Sequence, residues 1–406
     1  MRQDPARLSF EVQARDGIAR TGLIRTPHGE VRTPAFVPLA TKGSVRGLSS
    51  AEVAALGYEM VLGNTFHLLL APGPERLAEH GGLRGFMGWE GAVISDSGGF
   101  QVFSLAHGGV ADEIKGRRGQ SAGGADVRIS EDGVEFRDLN DGRTRFLGPE
   151  SSMEIQAAIG SDIALAFDEC TPFHADRDYT ASSTERTSRW LGRCLEWHAA
   201  HGPANQAVFG IVQGGVHEDL RRESAEAISA AGVDGIAIGG SLGQDKPEMY
   251  GVVEMTASML PAEAPKHLLG IGEPDDFLAA VAAGIDTLDC AVPTRLARHG
   301  VAVAPEPDSR FRLDLAKSRF ADDRGPIAEG CPCEACTRHT RAYLHHLARA
   351  SDLTGTRLLV LHNLTYMREL MAGARGAIEG GRFPAYRKTV LDGAGPWSAQ
   401  RIASVD

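Results

Sequence analysis

Ala207-Val208-Phe209-Gly210-Ile211-Val212-Gln213 is a continuous apolar run closed by one polar side chain. A strand with one wet face alternates apolar and polar residues. A run without alternation fits a strand covered on both faces, as in a parallel sheet wrapped by helices. Four similar runs precede it, at 34–40, 59–63, 92–96 and 162–168, and three follow, at 234–240, 266–271 and 285–289. Segments of helical spacing separate them, with starts at Ser49-Ser50-Ala51-Glu52, Ser151-Ser152-Met153-Glu154 and Pro274-Asp275-Asp276. Eight strand–helix units are the count of a closed (β/α)8 (TIM) barrel, expected here over residues 34–380. An open doubly wound sheet gives no reason for eight. Residues 1–33 read as an N-terminal β-hairpin with Gly17 and His28-Gly29 as turns, and residues 381–406 as a C-terminal tail.

The strand ends carry the chemistry. The third run ends in Asp96-Ser97-Gly98-Gly99-Phe100, the fourth in Asp168-Glu169-Cys170 and the fifth in Gln213-Gly214-Gly215. The sixth closes on Gly239-Gly240, the seventh on Gly270-Ile271-Gly272 and the eighth on Asp289. In a barrel these ends meet at one mouth, where active sites sit. One polar end is ordinary loop capping; four that converge suit a flat polar ligand. Asp96 and Asp289 form a candidate pair for breaking a glycosidic bond with retention, one carboxylate attacking the anomeric carbon and another group managing the leaving group's proton. A purine-type base leaves poorly unless protonated, which calls for a positioned acid. Asp168 and Gln213 can read the amide and amine edge of a guanine-like ring, with main-chain groups approaching closely at Gly98, Gly99, Gly239 and Gly240.

Cys331, Cys333 and Cys336, followed by His362, supply three thiolates and one imidazole, the donor set of a closed, structural tetrahedral Zn²⁺ site. Half of the chain's six cysteines cluster here, which makes chance unattractive. The zinc-binding segment, at about 305–365, is expected as an insertion after the eighth strand, followed by a last helix near 363–377. Dispersed Cys170, Cys194 and Cys290 suit a reducing compartment, and with no apolar run of membrane-spanning length the expected location is the cytoplasm, away from membranes. The net charge of −11 argues against a nucleic-acid partner, but it is uneven. Residues 293–406 hold 17 Lys and Arg against 12 Asp and Glu, and residues 1–292 hold 25 against 41. Local RNA contact is compatible with that asymmetry.

The segments Asp96-Ser97-Gly98-Gly99-Phe100-Gln101-Val102, Phe167-Asp168-Glu169-Cys170-Thr171-Pro172, Gly210-Ile211-Val212-Gln213-Gly214 and Asp289-Cys290-Ala291-Val292-Pro293-Thr294-Arg295 resemble, with the Cys/His set, the signature segments of the queuine tRNA-ribosyltransferase (tRNA-guanine transglycosylase) family, over about residues 8–380. The resemblance implies an irregular (β/α)8 barrel with a structural zinc. It implies exchange of the wobble guanine in the anticodon stem-loop of G-U-N tRNAs for a 7-deazaguanine, and a homodimer. Asp289 would be the nucleophile forming a covalent ribosyl-enzyme, and Asp96 the acid/base group that deprotonates the incoming base. Asp96, Ser97, Gly98, Gly99 and Phe100 would line the base, with Asp168, Gln213 and Gly240 recognising it. Gly270, Ile271, Gly272, Glu273, Pro274, Asp275 and Asp276, with Thr294, Arg295, Leu296, Ala297 and Arg298, match the family's RNA-contacting stretches.

The chain departs from the family pattern at Phe100, where many bacterial members have tyrosine, and in the loop Ser241-Leu242-Gly243-Gln244-Asp245. Gly243 stands where bacterial relatives carry a valine, which implies extra room beside the base's substituent and acceptance of queuine in addition to, or in place of, its aminomethyl precursor. Three alternatives stand beside the main reading. A non-catalytic tRNA-binding subunit would be free to lose Asp96 and Asp289. An archaeosine-type enzyme would be expected to carry further RNA-binding domains. A barrel hydrolase would leave the zinc segment unexplained. Arg338, Arg341, His345 and Arg349 are expected on one helix face toward tRNA phosphates, with Tyr343, Leu344 and Leu347 opposite.

Overall fold

The computed structural model describes residues 7–106, 127–138 and 141–402. All eight apolar runs become strands: Ala35–Val37, Met60–Gly63, Ala92–Ser95, Ile163–Leu165, Ala207–Val212, Gly235–Ile238, Lys266–Leu268 and Thr287–Asp289. Every residue in them is buried, which is why none of the runs alternates. Each strand pairs in parallel with the next, and the eighth pairs with the first through Leu288 and Phe36. The ring closes between the first two strands, where Ala40 N–H donates to Leu62 O (2.7 Å) and Leu62 N–H to Pro38 O (3.0 Å). The sheet has no free edge, so its short strands leave few backbone groups unpaired.

The helix starts follow the sequence with one adjustment. Ser49 caps Ser50–Ala55 in a capping box with Glu52, and Glu273 caps Pro274–Ala282 with Asp276. The helix expected from Ser151 begins earlier, at Pro149. Proline's fixed φ suits the first helical position, so Gly148 becomes the cap and Ser151 Oγ accepts from its N–H (2.9 Å).

The N-terminal hairpin, Ser9–Asp16 and Ala19–Thr26, carries a third antiparallel strand, Gly29–Thr33. It seals the end of the barrel where strands begin. Arg20 donates to both carboxylate oxygens of Asp286 (Nε–Oδ1 2.8 Å, Nη2–Oδ2 2.5 Å), and His28 Nδ1 lies 2.6 Å from Asp162 Oδ1. A small sheet, Val127–Ile129, Val134–Arg137 and Thr144–Leu147, stands between the third and fourth barrel strands and was not foreseen. It tucks Val134, Phe136 and Leu147 into the core, and Glu131 O accepts from Trp190 Nε1 (2.8 Å).

After the eighth strand come the helix Val292–Arg298, a two-stranded ribbon (Val301–Val303, Arg312–Asp314) and the cysteine segment. The last expected helix is longer than 363–377, running Leu353–Glu379, and Phe383–Leu391 and Pro396–Ile402 follow it as further helices. Asn363 pins this helix to the insertion: its amide oxygen accepts from Val303 N (2.7 Å) and its Nδ2 donates to Pro293 O (2.8 Å). Among the described residues no helix is long and apolar enough to cross a membrane.

Candidate base pocket, metal centre and RNA-facing rim

Strand ends three, four, five and eight converge as the sequence implied. Asp96, one residue past the third strand, is held by the turn after the second: Thr65 N–H donates to Oδ1 (2.7 Å) and the Asn64 amide to Oδ2. The surrounding protein desolvates this carboxyl and pushes its pKa up to about 7, and the charge of Asp289 adds to the rise against hydrogen bonds from Thr65, Gly98 and Gln101. The two aspartates therefore share one electrostatic environment.

Asp168, buried past the fourth strand, accepts from Ser97 Oγ at Oδ1 (2.8 Å) and from Gln213 Nε2 at Oδ2 (2.6 Å). Burial raises its pKa to about 6, opposed by those two donors. The Gln213 amide is thereby oriented, and its buried Oε1 has no hydrogen-bond partner among the described residues. Two glycines make room for this arrangement. A side chain at Gly99 would meet the Asp168 carbonyl at 2.5 Å, and one at Gly240, whose φ is +81°, would collide with Gln213 Oε1. Ser97 and Gly98 form the turn between, fixed by Ser152 Oγ donating to Ser97 O (2.7 Å), and Phe100 lies half-buried in the helix Gly99–Ala106.

Asp289 ends the eighth strand and is only 6 % exposed. Gly270 N–H donates to its Oδ1 (3.2 Å), and His267 Nε2 lies 3.3 Å from the same oxygen.

Several residues here escaped the sequence reading. Asn64 and Thr65 stand directly past the second apolar run, so the rule applied to the other strand ends would have found them. His267 lies inside a run and reads as core. Arg221, fully buried, donates to the carbonyls of Val212 (3.0 Å), Gly215 (2.8 Å), Gly239 (2.9 Å) and Ser241 (3.2 Å), lashing the fifth and sixth strand ends together. Nothing in its helical surroundings marked it.

In the loop after the sixth strand Gly243 has φ +128°, which L side chains rarely adopt, and a side chain built there would meet Glu248 at 2.8 Å. Asp245 is occupied capping the helix Lys246–Met259, accepting from Glu248 N (3.0 Å).

The four metal-site residues come together. Cys331, Cys333 and Cys336 place Sγ at 3.7, 3.3 and 3.3 Å from His362 Nδ1. A tetrahedral zinc has S–N edges of roughly 3.5 Å, so the donor set fits. His362 Nε2 donates to Val303 O (2.7 Å), which turns the Nδ1 lone pair toward the sulfurs.

Of the first expected RNA-contacting stretch, Gly270 is exposed, Ile271 and Asp275 are half-buried, and Gly272, Glu273, Pro274 and Asp276 are buried. The acids face inward: Lys246 Nζ lies 2.7 Å from Glu273, 2.7 Å from Asp275 and 2.8 Å from Asp276, and Arg312 also pairs with Glu273. In the second stretch Arg298 is exposed, Arg295 and Leu296 are half-buried, and Thr294 and Ala297 are buried. The single basic face expected after the cysteines is not formed. The helix Glu334–Arg338 stops at His339 and another, Arg341–Ala350, starts anew, which breaks the spacing. Arg341 is turned to Asp323 (3.2 Å) and Ile327 O (3.0 Å), His345 Nδ1 lies 2.7 Å from Leu315 O, and Tyr343 is exposed.

The sequence profile described as queuine tRNA-ribosyltransferase matches residues 16–395. Proteins named queuine tRNA-ribosyltransferase are similar along nearly their whole length. The one from Roseiflexus sp. (strain RS-1) is 49 % identical over 392 residues, 94 % of this chain and 98 % of its own. The one from Stenotrophomonas maltophilia (strain R551-3) is 46 % identical over 386 residues (95 % and 96 %). One from Thermus thermophilus is 43 % identical over 407 residues (99 % of both). With its closed barrel, converging strand ends and Cys3His cluster, the chain belongs to the queuine tRNA-ribosyltransferase family.

Proposed function

We propose that this protein is a tRNA-guanine transglycosylase that exchanges the wobble guanine of G-U-N tRNAs for a 7-deazaguanine, through a ribosyl ester on Asp289. The observation that carries the reading is the unequal pair of carboxyls at the mouth: Asp96, titrating at about 7, and Asp289, faced by a backbone N–H and an imidazole. An acid half protonated at neutral pH serves a base that must leave with a proton and another that must arrive without one.

The exchange balances on these two groups. Asp289 attacks C1′ of the wobble ribose as the C1′–N9 bond breaks, and the bond's electron pair leaves on guanine, which takes the Asp96 proton. The incoming base gives its N9 proton to the Asp96 carboxylate and attacks C1′, and Asp289 departs as carboxylate. Both aspartates are then as they began. The free lone pairs of Asp168 accept the ring N–H and exocyclic amine of a guanine-type base. The oriented Gln213 amide and the Gly240 backbone complete its edge. Arg295 and Arg298, on the helix that follows Asp289, would meet phosphates flanking the wobble nucleotide.

Zinc on Cys331, Cys333, Cys336 and His362 would fasten the insertion to the helix Leu353–Glu379 and leave no position for a reactive water. Two copies pairing as a homodimer completes the reading, and sedimentation of the purified protein tests it.

Labelled guanine is incubated with unmodified tRNA and the protein, and the RNA is run on a denaturing gel. Exchange of label and a protein-linked RNA band are expected. Failure of both, with bound tRNA, refutes the assignment. Elemental analysis should find one zinc per chain, and Cys336→Ser should lower the melting temperature, because metal binding and local folding are coupled.

A further inference from the structure

The fully buried His267 stands beside the proposed nucleophile without a role in the exchange just described. It pairs in register with Thr287, two residues before Asp289 on the neighbouring strand. Alternation brings Thr287 and Asp289 to the same side of their strand. His267 Nδ1 lies 2.8 Å from Thr287 Oγ1. Its Nε2 lies 3.3 Å from Asp289 Oδ1, a close approach that is not aligned as a hydrogen bond, and has no hydrogen-bond partner among the described residues. Two tautomers are possible for a neutral ring. With the proton on Nδ1, the Nε2 lone pair would face a carboxylate anion, which is repulsive. With the Thr287 hydroxyl donating to Nδ1, Nε2 carries the proton and presents it to Asp289. The carboxylate thus favours the Nε2–H tautomer, and the Thr287 hydroxyl supports it by donating to Nδ1.

Gly270 N–H already donates to Oδ1, a small turn of the His267 ring would align a second N–H with the same oxygen, and no hydrogen bond from the described residues reaches Oδ2. We infer that His267 is a positioning residue which, with the Gly270 backbone, holds Oδ1 of Asp289 so that Oδ2 is the oxygen that attacks C1′. The bonding follows from that placement. Oδ2–C1′ forms as C1′–N9 breaks, the pair leaves on guanine, and Oδ1 becomes the ester carbonyl. When the incoming base displaces the ester, charge returns to the carboxylate, and the Gly270 N–H, with the imidazole beside it, is at hand to stabilise it. This inference rests on Asp289 being the nucleophile.

The experiment uses the full chain with His267→Leu, His267→Gln and Thr287→Val. Leucine fills the space without a donor. Glutamine sets an amide N–H near the position of Nε2. Valine removes the hydroxyl that supports the Nε2–H tautomer and keeps its volume. Covalent RNA adduct formation, kcat and KM for tRNA, and melting temperature are measured for each. The expected result for His267→Leu is a fall of about ten- to a hundredfold in kcat and in the rate of adduct formation, with KM for tRNA unchanged. His267→Gln should recover to within about threefold of wild type, and Thr287→Val should lose about three- to tenfold. Wild-type adduct rates in His267→Leu overturn the inference. So does a glutamine variant as slow as the leucine variant, or, should His267→Leu not fold, full activity in Thr287→Val. If the unaltered protein forms no adduct, the nucleophile assignment itself has failed, a result separate from these.

Discussion

The eighth strand carries an aspartate at each end of the barrel, Asp286 where it enters and Asp289 where it leaves, and the two are treated in opposite ways. Asp286 is fully buried against a bidentate guanidinium, with Lys266 N–H as a further donor to Oδ2 (2.7 Å). Asp289 meets one backbone N–H and one imidazole, and no Lys or Arg among the described residues pairs with it. The fourth strand repeats the contrast. Asp162 at the entrance is held by His28 and by Val93 N–H (2.8 Å), whereas the side-chain donors to Asp168 at the exit are, among the described residues, the neutral Ser97 and Gln213. The acids at the closed end are paired with groups of the N-terminal sheet and serve to lock it. Charge at the mouth is left available, at a cost in stability, and that cost is what the proposed chemistry requires there.

The largest expected effect comes from removing Asp289 while keeping its shape. Asp289→Asn should lower guanine exchange by at least about a thousandfold and abolish the covalent band, with tRNA affinity retained in a filter-binding assay. An adduct of normal yield would break the comparison at once. At the other end of the strand the loss should be thermodynamic. Asp286→Asn leaves the buried Arg20 charge uncompensated and should cost about 3–5 kcal/mol in urea denaturation, while kcat per folded molecule stays unchanged. A variant as stable as wild type would mean that the closed-end pair is not the lock its geometry describes.

The mouth is far more legible in the chain than the closed end. Apolar runs announce strands, and a polar residue just after a run can only sit at the rim, so Asp96, Asp168, Gln213 and Asp289 stand out. Asp162 and Asp286 lie at the starts of their runs, where an acid reads as a turn residue, and Arg20 lies 266 residues from its partner. No local pattern joins them. The same limit hid Arg221, whose acceptors are carbonyls of two later loops, and His267, whose significance depends on register with another strand. Helical spacing misled at Arg338 and Arg341 because it presumes an unbroken helix, and the chain breaks between them. At Gly243 a count of loop positions could not say which way the missing side chain would point.

Asp96 sharpens the comparison through pH. Its native pKa, about 7, exceeds the ordinary value, so the folded state holds a proton that the unfolded chain has released. The associated stability is complete below pH of about 4 and is lost as pH rises, until the native carboxyl itself ionises near 7. Asp96→Asn removes this loss. Its stability relative to wild type should therefore grow by about 2–3 kcal/mol between pH 5 and pH 8, whatever fixed cost the altered hydrogen bond to Asn64 brings. The same titration should appear in catalysis, with adduct formation by the unaltered protein declining above pH of about 7 as the proton for the departing guanine is lost. A stability difference independent of pH would show that Asp96 is ionised in the native state throughout.

Asp168 should behave in the same direction but less. Burial raises its pKa to about 6, and two neutral donors restrain the rise. The relative gain of Asp168→Asn between pH 5 and pH 8 should be about 1–1.5 kcal/mol, and it should level off about one pH unit earlier than for Asp96→Asn. The substitution also has somewhere to put its new donor. Gln213 Oε1 is buried without a hydrogen-bond partner, so a turn of that amide would set it against the asparagine N–H. That turn removes the donor edge that Gln213 offers a bound base and replaces the acceptor that Asp168 offers its amine. Asp168→Asn should consequently be at least as stable as wild type at pH 8 while its KM for free guanine rises by about tenfold or more, since an N–H of the base would face another donor. Guanine affinity equal to wild type in this variant would remove Asp168 from the recognition of the base and leave it with the structural role of its counterpart at the closed end.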